Sequence, residues 1–187
     1  MSIKIYVDQG HNPINPNAGA EGNGLREQDL VYTIGQRLAE RLRADPSFEV
    51  RLSRPNRDTL LGTSNATSLA ARVNEANRWG ADYFISLHTN AASNASASGS
   101  EALVYDRQTR AYNLARDILT SMTDITGLRD RGVQSRPGLY VLRKTQMPAT
   151  LVELGFITNP GDAILMRDAP DLFAEGIYRG IKEYTGV

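Results

Sequence analysis

Residues 68–88, SLAARVNEANRWGADYFISLH, decide how the fold is read. Up to Trp79 the apolar positions Leu69, Val73, Ala76 and Trp79 return every three or four residues, the mark of a helix with one buried face. Gly80 stands where such a helix closes in the left-handed conformation, and beyond it the period changes. Tyr83-Phe84-Ile85-Ser86-Leu87 is an apolar run of strand length, and it ends on His88. Helix, glycine, strand is the unit from which α/β domains with largely parallel sheets are built.

The alternation continues outward in both directions. Strands are predicted at Ile3–Asp8, Phe48–Ser53, Tyr83–Leu87, Glu101–Tyr105, Leu139–Leu142 and Thr150–Leu154. Between them, Leu30, Val31, Ile34, Leu38 and Leu42 predict a helix from Glu27 to about Arg43, and another runs from about Arg110 to Ile125 and stops at Gly127. Asn159-Pro160 and Ala169-Pro170 each place a proline at the first position of a later helix, and the chain ends in a helix. The expected fold class is therefore α/β: a single three-layer domain over residues 1–187, with a mostly parallel, mixed sheet of about six strands and helices on both faces. Asn12–Gly24, Asn56–Thr67 and Ala91–Ser100 read as irregular loops, and no internal repeat or second domain is evident.

Composition narrows the chemistry. The 187 residues contain no cysteine, which rules out disulfides and thiolate ligands, and Lys+Arg and Asp+Glu balance at 21 each. That neutrality gives no general attraction to nucleic acid or to an anionic membrane, and neither partner is expected. No apolar run approaches the roughly 20 residues that span a bilayer, so no membrane insertion is expected. Met1-Ser2-Ile3-Lys4 leads straight into a strand, so no signal peptide is expected in this chain.

Only two histidines occur, His11 and His88, and each follows a predicted strand. Ligands of open α/β sheets gather at the carboxyl ends of strands, so the two can converge. With no thiols, a transition metal would need imidazole and carboxylate donors, and two histidines with one carboxylate leave a position open for water. From the residues alone the pair reads equally as hydrogen-bonded loop residues or as ligands. Glu27 heads the buried face of its helix and is a plausible third donor; it reads equally as a first-turn glutamate that favours the helix dipole. Glu21 is a weaker competitor in the neighbouring loop. Glu153 interrupts Thr150-Leu151-Val152-Glu153-Leu154-Gly155-Phe156, a run otherwise suited to a buried strand. Isolating its charge there would cost several kcal/mol, which a nearby metal, a substrate or an internal arginine would offset.

Four blocks carry a resemblance: Val7-Asp8-Gln9-Gly10-His11; Gly24-Leu25-Arg26-Glu27; Ile85-Ser86-Leu87-His88-Thr89-Asn90-Ala91; and Leu151-Val152-Glu153-Leu154-Gly155-Phe156-Ile157-Thr158-Asn159. A supporting block runs from Arg131-Gly132-Val133 through Leu139-Tyr140-Val141-Leu142-Arg143 to Met147-Pro148-Ala149. In content and order they resemble the zinc-dependent N-acetylmuramoyl-L-alanine amidases of the Amidase_3 family, peptidoglycan hydrolases of bacteria and of phage endolysins. The resemblance implies one zinc ion per chain held by His11, Glu27 and His88, with Glu153 as the catalytic residue. It implies peptidoglycan as the partner and action at the cell wall; the chain is expected to be a monomeric catalytic domain and, unlike many members of the family, to carry no separate cell-wall-binding domain. Asp8 and Asn90 are candidates for orienting the imidazoles, or are turn residues, and Arg131 is a candidate for holding acidic groups of the stem peptide, or is solvated. Where the family commonly has a glycine-rich turn after the first histidine, this chain has Asn12-Pro13-Ile14-Asn15-Pro16-Asn17. The rivals are another zinc peptidase, such as a carboxypeptidase cutting within the stem peptide, a non-catalytic wall-binding module, and a metal-free α/β domain.

Overall fold

The computed structural model describes residues 2–187. Its strands are β1 (Ile3–Gln9), β2 (Glu21–Gly22), β3 (Leu25–Arg26), β4 (Phe48–Leu52), β5 (Tyr83–Asn90), β6 (Ser100–Val104), β7 (Asp130–Ser135) and β8 (Ala149–Phe156). The helices are α1 (Glu27–Ala44), α2 (Asn65–Trp79), α3 (Arg110–Thr126), α4 (Tyr140–Lys144), α5 (Pro160–Asp168) and α6 (Pro170–Thr185).

Six strands form the main sheet in the order β4-β1-β5-β8-β6-β7. β4, β1, β5 and β8 run parallel, while β6 pairs antiparallel with β8 and β7 runs parallel to β6. The expected mixed sheet is present. Its two faces carry different cores, because alternate residues of each strand point opposite ways. On one face Ile5, Val7, Ile85, Leu87 and Val152 pack under α1, α3 and α6 through residues such as Ile34, Ile118 and Ile177. On the other, Tyr6, Phe84, Leu103 and Leu151 pack under Val73 of α2 and Val141 of α4. Helices α3 and α6 lie so close that side chains at Gly176 and Gly180 would strike the backbone of Met122 and Ile118.

Two expectations need correction. Leu139–Leu142 is not a strand: Tyr140–Lys144 forms α4, whose Val141 and Leu142 are buried against the sheet. The strand on that edge is instead Asp130–Ser135, in which Val133 alone is fully buried. The Asn12–Gly24 segment also contains local order. Asn23 and Gly24 both have positive φ, 51° and 73°, and join the short antiparallel pair β2–β3 as a primed two-residue turn.

All three remaining irregular segments leave the carboxyl ends of parallel strands, after β1, β4 and β5. The site is built on that edge.

Candidate metal centre

β1 is followed by Gly10 and His11, and His11 takes φ 66°, in the left-handed region. For a residue with a Cβ this conformation costs about 1–2 kcal/mol, so something must hold it. The Arg72 guanidinium does: buried on α2, it donates from Nη2 to the His11 carbonyl at 2.6 Å. Its Nη1 donates to Asp8 Oδ1 at 2.6 Å and to the Gln9 carbonyl at 2.7 Å. Asp8 Oδ2 accepts from Ser86 Oγ at 2.7 Å. Burial pushes the Asp8 carboxyl up, but Arg72 and Ser86 outweigh it and hold the group below the usual carboxylate range.

His88 lies near the end of β5, and its ring occupies the space above Gly10, where a Cβ would come within 2.5 Å of Cε1. Glu27, the first residue of α1, reaches between the two rings. Its Oε1 lies 3.2 Å from His11 Nε2 and 3.0 Å from His88 Nδ1, and also accepts the Thr89 amide at 2.9 Å. Its Oε2 accepts the Ala20 amide at 2.9 Å. Burial alone would push the Glu27 carboxyl up, yet the two histidines beside it hold it well below the usual carboxylate range. A side chain at Gly19 would strike this carboxylate and the His11 ring.

The donor set suits a small dication. One ligand atom from each of His11, Glu27 and His88 can be chosen so that all lie within 4.8 Å of one another. The two nitrogen–oxygen separations of 3.2 and 3.0 Å approach the edge of about 3.3 Å expected of a tetrahedron with bonds near 2.0 Å. Two imidazoles and a carboxylate also form the donor class typical of hydrolytic zinc.

Glu153 sits directly across the sheet from His88, its paired residue on β8, and Glu101 of β6 pairs with Glu153 on the other side. Three neighbouring strands thus present His88, Glu153 and Glu101 on one face. Glu153 Oε2 is buried and has no hydrogen-bond partner among the described residues. Burial, then the charges of Glu27 and Glu101, push its carboxyl up to about 8. No arginine among the described residues pairs with it. This is a carboxyl poised near neutrality, the property a proton-transfer group needs.

Other expectations land differently. Asp8 is committed to Arg72 and Ser86, and Asn90 Nδ2 donates to Glu101 Oε1 at 2.7 Å, so neither has an imidazole as a hydrogen-bond partner. His11 Nδ1 is buried with no partner among the described residues. Glu21 is exposed on the β2–β3 ribbon. Arg131 is exposed, with its guanidinium 5.1 Å from the centre of the Phe156 ring and Nη1 donating to the Ser98 carbonyl. The residues missed are Glu101, Arg72, Gly10 and Gly19. Glu101 carries the same signal as Glu153, an acid within an apolar strand; the other three act through the space they leave or the backbone they hold.

Fold and donor set together define an open α/β domain with a candidate mononuclear metal-hydrolase centre at the carboxyl edge of its parallel strands. Residues 5–183 match the N-acetylmuramoyl-L-alanine amidase family, Amidase_3, and the chain belongs to it. The chain is 38% identical to the N-acetylmuramoyl-L-alanine amidase LytC of Bacillus subtilis (strain 168), over 96% of this chain and 35% of LytC. It is 35% identical to the amidase CwlM of Bacillus licheniformis, over 95% of this chain and 65% of CwlM. It thus spans about a third of the one relative and just under two thirds of the other. Among solved structures, the N-acetylmuramoyl-L-alanine amidase from Clostridium difficile 630 superposes with a TM-score of 0.89 at 30% identity, covering 99% of this chain and 97% of that one.

Proposed function

We propose that this chain hydrolyses the amide between the lactyl group of N-acetylmuramic acid and L-alanine of the peptidoglycan stem peptide. The observation that carries the reading is the cluster of His11, Glu27 and His88 beside Glu153, whose Oε2 is buried without a partner among the described residues and which pairs across the sheet with His88. Family membership supplies the scissile bond. In this reading His11, Glu27 and His88 hold a single zinc ion. Zinc bound there supplies Lewis-acid polarisation and lowers the pKa of water toward about 7.

The protein's own groups do the rest. Glu27 enters as a carboxylate, held so by the histidines and by the Thr89 and Ala20 amides, and needs no deprotonation on loading. Glu153 Oε2, with no competing partner, takes the proton of the attacking water and returns it to the departing alanine nitrogen. Its raised pKa makes it a willing carrier in the second role, and the cation beside it favours the ionised form needed in the first. Residues 1–187 act as one monomeric catalytic unit, working at the cell wall. No helix of the described residues is long and apolar enough to cross a membrane.

Glu153→Ala separates chemistry from metal binding. The variant should retain one zinc per chain yet release soluble fragments from purified cell walls about 10²-fold or more slowly, the scale of a lost general base. Near-normal turnover would sink the assignment. Product analysis tests the bond: a new N-terminal alanine beside intact lactyl-muramic acid is expected, whereas released D-alanine would identify a carboxypeptidase. Wall binding without any fragment release would identify a binding module.

A further inference from the structure

We infer that Arg72 is the positioning residue for the metal ligand His11, holding the histidine's backbone carbonyl directly from α2 while the buried Asp8 anchors the guanidinium. The inference rests on the proposed ligand role of His11. Arg72 is 1% exposed and Asp8 is 1% exposed, so this ion pair lies wholly inside the protein. The two arms of the guanidinium have different duties. Nη1 serves β1 itself, bonding Asp8 Oδ1, the Gln9 carbonyl and Ser53 Oγ. Nη2 serves the residues beyond the strand, bonding the His11 carbonyl at 2.6 Å and Asn12 Oδ1 at 3.4 Å.

The left-handed backbone of His11 turns its carbonyl toward α2, where Arg72 captures it, while the ring faces Glu27. A carbonyl buried without a partner would be costly, so the guanidinium fixes the backbone from which the ring projects. Asn12, fully buried, extends the grip by bonding the Pro16 carbonyl and both backbone groups of Leu61. The unusual Asn-Pro segment is thereby tied to the loop that precedes α2.

Arg72→Lys divides the two duties, because one ammonium can keep the Asp8 pair but has no second arm for His11. Zinc affinity is read by competition with a chromophoric chelator, and the visible spectrum of the cobalt-substituted protein reports the geometry around the ion. Far-UV circular dichroism and a thermal melt establish folding. Folded Arg72→Lys should bind zinc about 10- to 100-fold more weakly, the usual scale for groups that orient a ligand, with an altered cobalt spectrum. Wild-type affinity and spectrum in the folded variant would overturn the inference. If Arg72→Lys does not fold, the double variant Asp8→Asn/Arg72→Gln, which removes the buried charge pair together and with it the arm that reaches His11, takes its place with the same expectation and the same overturning result. His11→Ala is the control: it should lose zinc outright. Full zinc occupancy in His11→Ala would overturn the ligand assignment itself, while zinc lost in His11→Ala but unchanged in Arg72→Lys would overturn the positioning role alone.

Discussion

Glu153 should make the chelator-treated protein less stable as pH rises through neutrality. Its folded-state carboxyl titrates near 8 against an ordinary value of 4.5, with burial first and the Glu27 and Glu101 charges next among the causes. Below about pH 4.5 folded and unfolded chains both hold the proton, and the stabilisation relative to the ionised state is fully present. Above that point the unfolded chain gives up its proton while the folded one retains it, so stability falls with rising pH until the folded group also ionises near 8. The slope is about 1.4 kcal/mol per pH unit, so raising the pH from 5 to 7.5 should remove up to about 3 kcal/mol. For a chain of this size that corresponds to roughly 6–12 °C in Tm. Glu153→Gln carries no ionisable group and mimics the protonated acid. Thermal melts of the two proteins at a series of pH values should therefore diverge, the variant gaining on the wild type as pH rises. Added zinc should flatten the wild-type slope, because a nearby dication stabilises the carboxylate. Parallel profiles from pH 5 to 8 would refute the idea that Glu153 is held protonated by its surroundings.

Two glycines offer further tests. Gly10→Ala would bring a Cβ within 2.6 Å of His88 Nε2 and of the Leu87 carbonyl, and should weaken zinc binding at least about tenfold through displacement of the ring, with the circular dichroism spectrum unchanged. Undiminished affinity would show that the ring has room to move. Gly180→Ala would drive a methyl into the backbone of Ile118 and Asp117, forcing α6 away from α3 at a cost of about 1–3 kcal/mol, read as a fall of several degrees in Tm. An unchanged melt would mean that the two helices separate freely.

The parts legible in the sequence are those where one period governs. β1, β5 and β8 are apolar strands of the sheet interior, and α1 and α2 keep a single buried face, so composition and spacing are enough. Leu139-Tyr140-Val141-Leu142 misleads because four apolar residues fit either period, and the Pro137-Gly138 turn before them suits a strand or a helix equally. Asp130–Ser135 escapes notice because an edge strand with one fully buried residue has no alternation to show. Of the candidate site residues, His11, His88 and Glu153 stand out in the sequence for a related reason: a histidine after a strand and an acid inside an apolar run both violate the local pattern, whereas Glu27 is marked only by its place at the head of a buried helix face. Asp8 and Asn90 were harder. Their partners Arg72 and Glu101 lie 64 and 11 residues away, and nothing local says that those groups occupy them before an imidazole can.

The three irregular segments all spring from the carboxyl ends of the parallel strands, while Glu27, His88 and Glu153 are anchored in α1, β5 and β8 beneath them and His11 stands two residues past β1. The first two segments also brace the donors, through the Ala20 amide on Glu27 and the Asn12–Leu61 bonds behind His11, so Ala91–Ser100 is the part of the rim that touches none of the three. An engineer reshaping this edge would have the most freedom in that third segment.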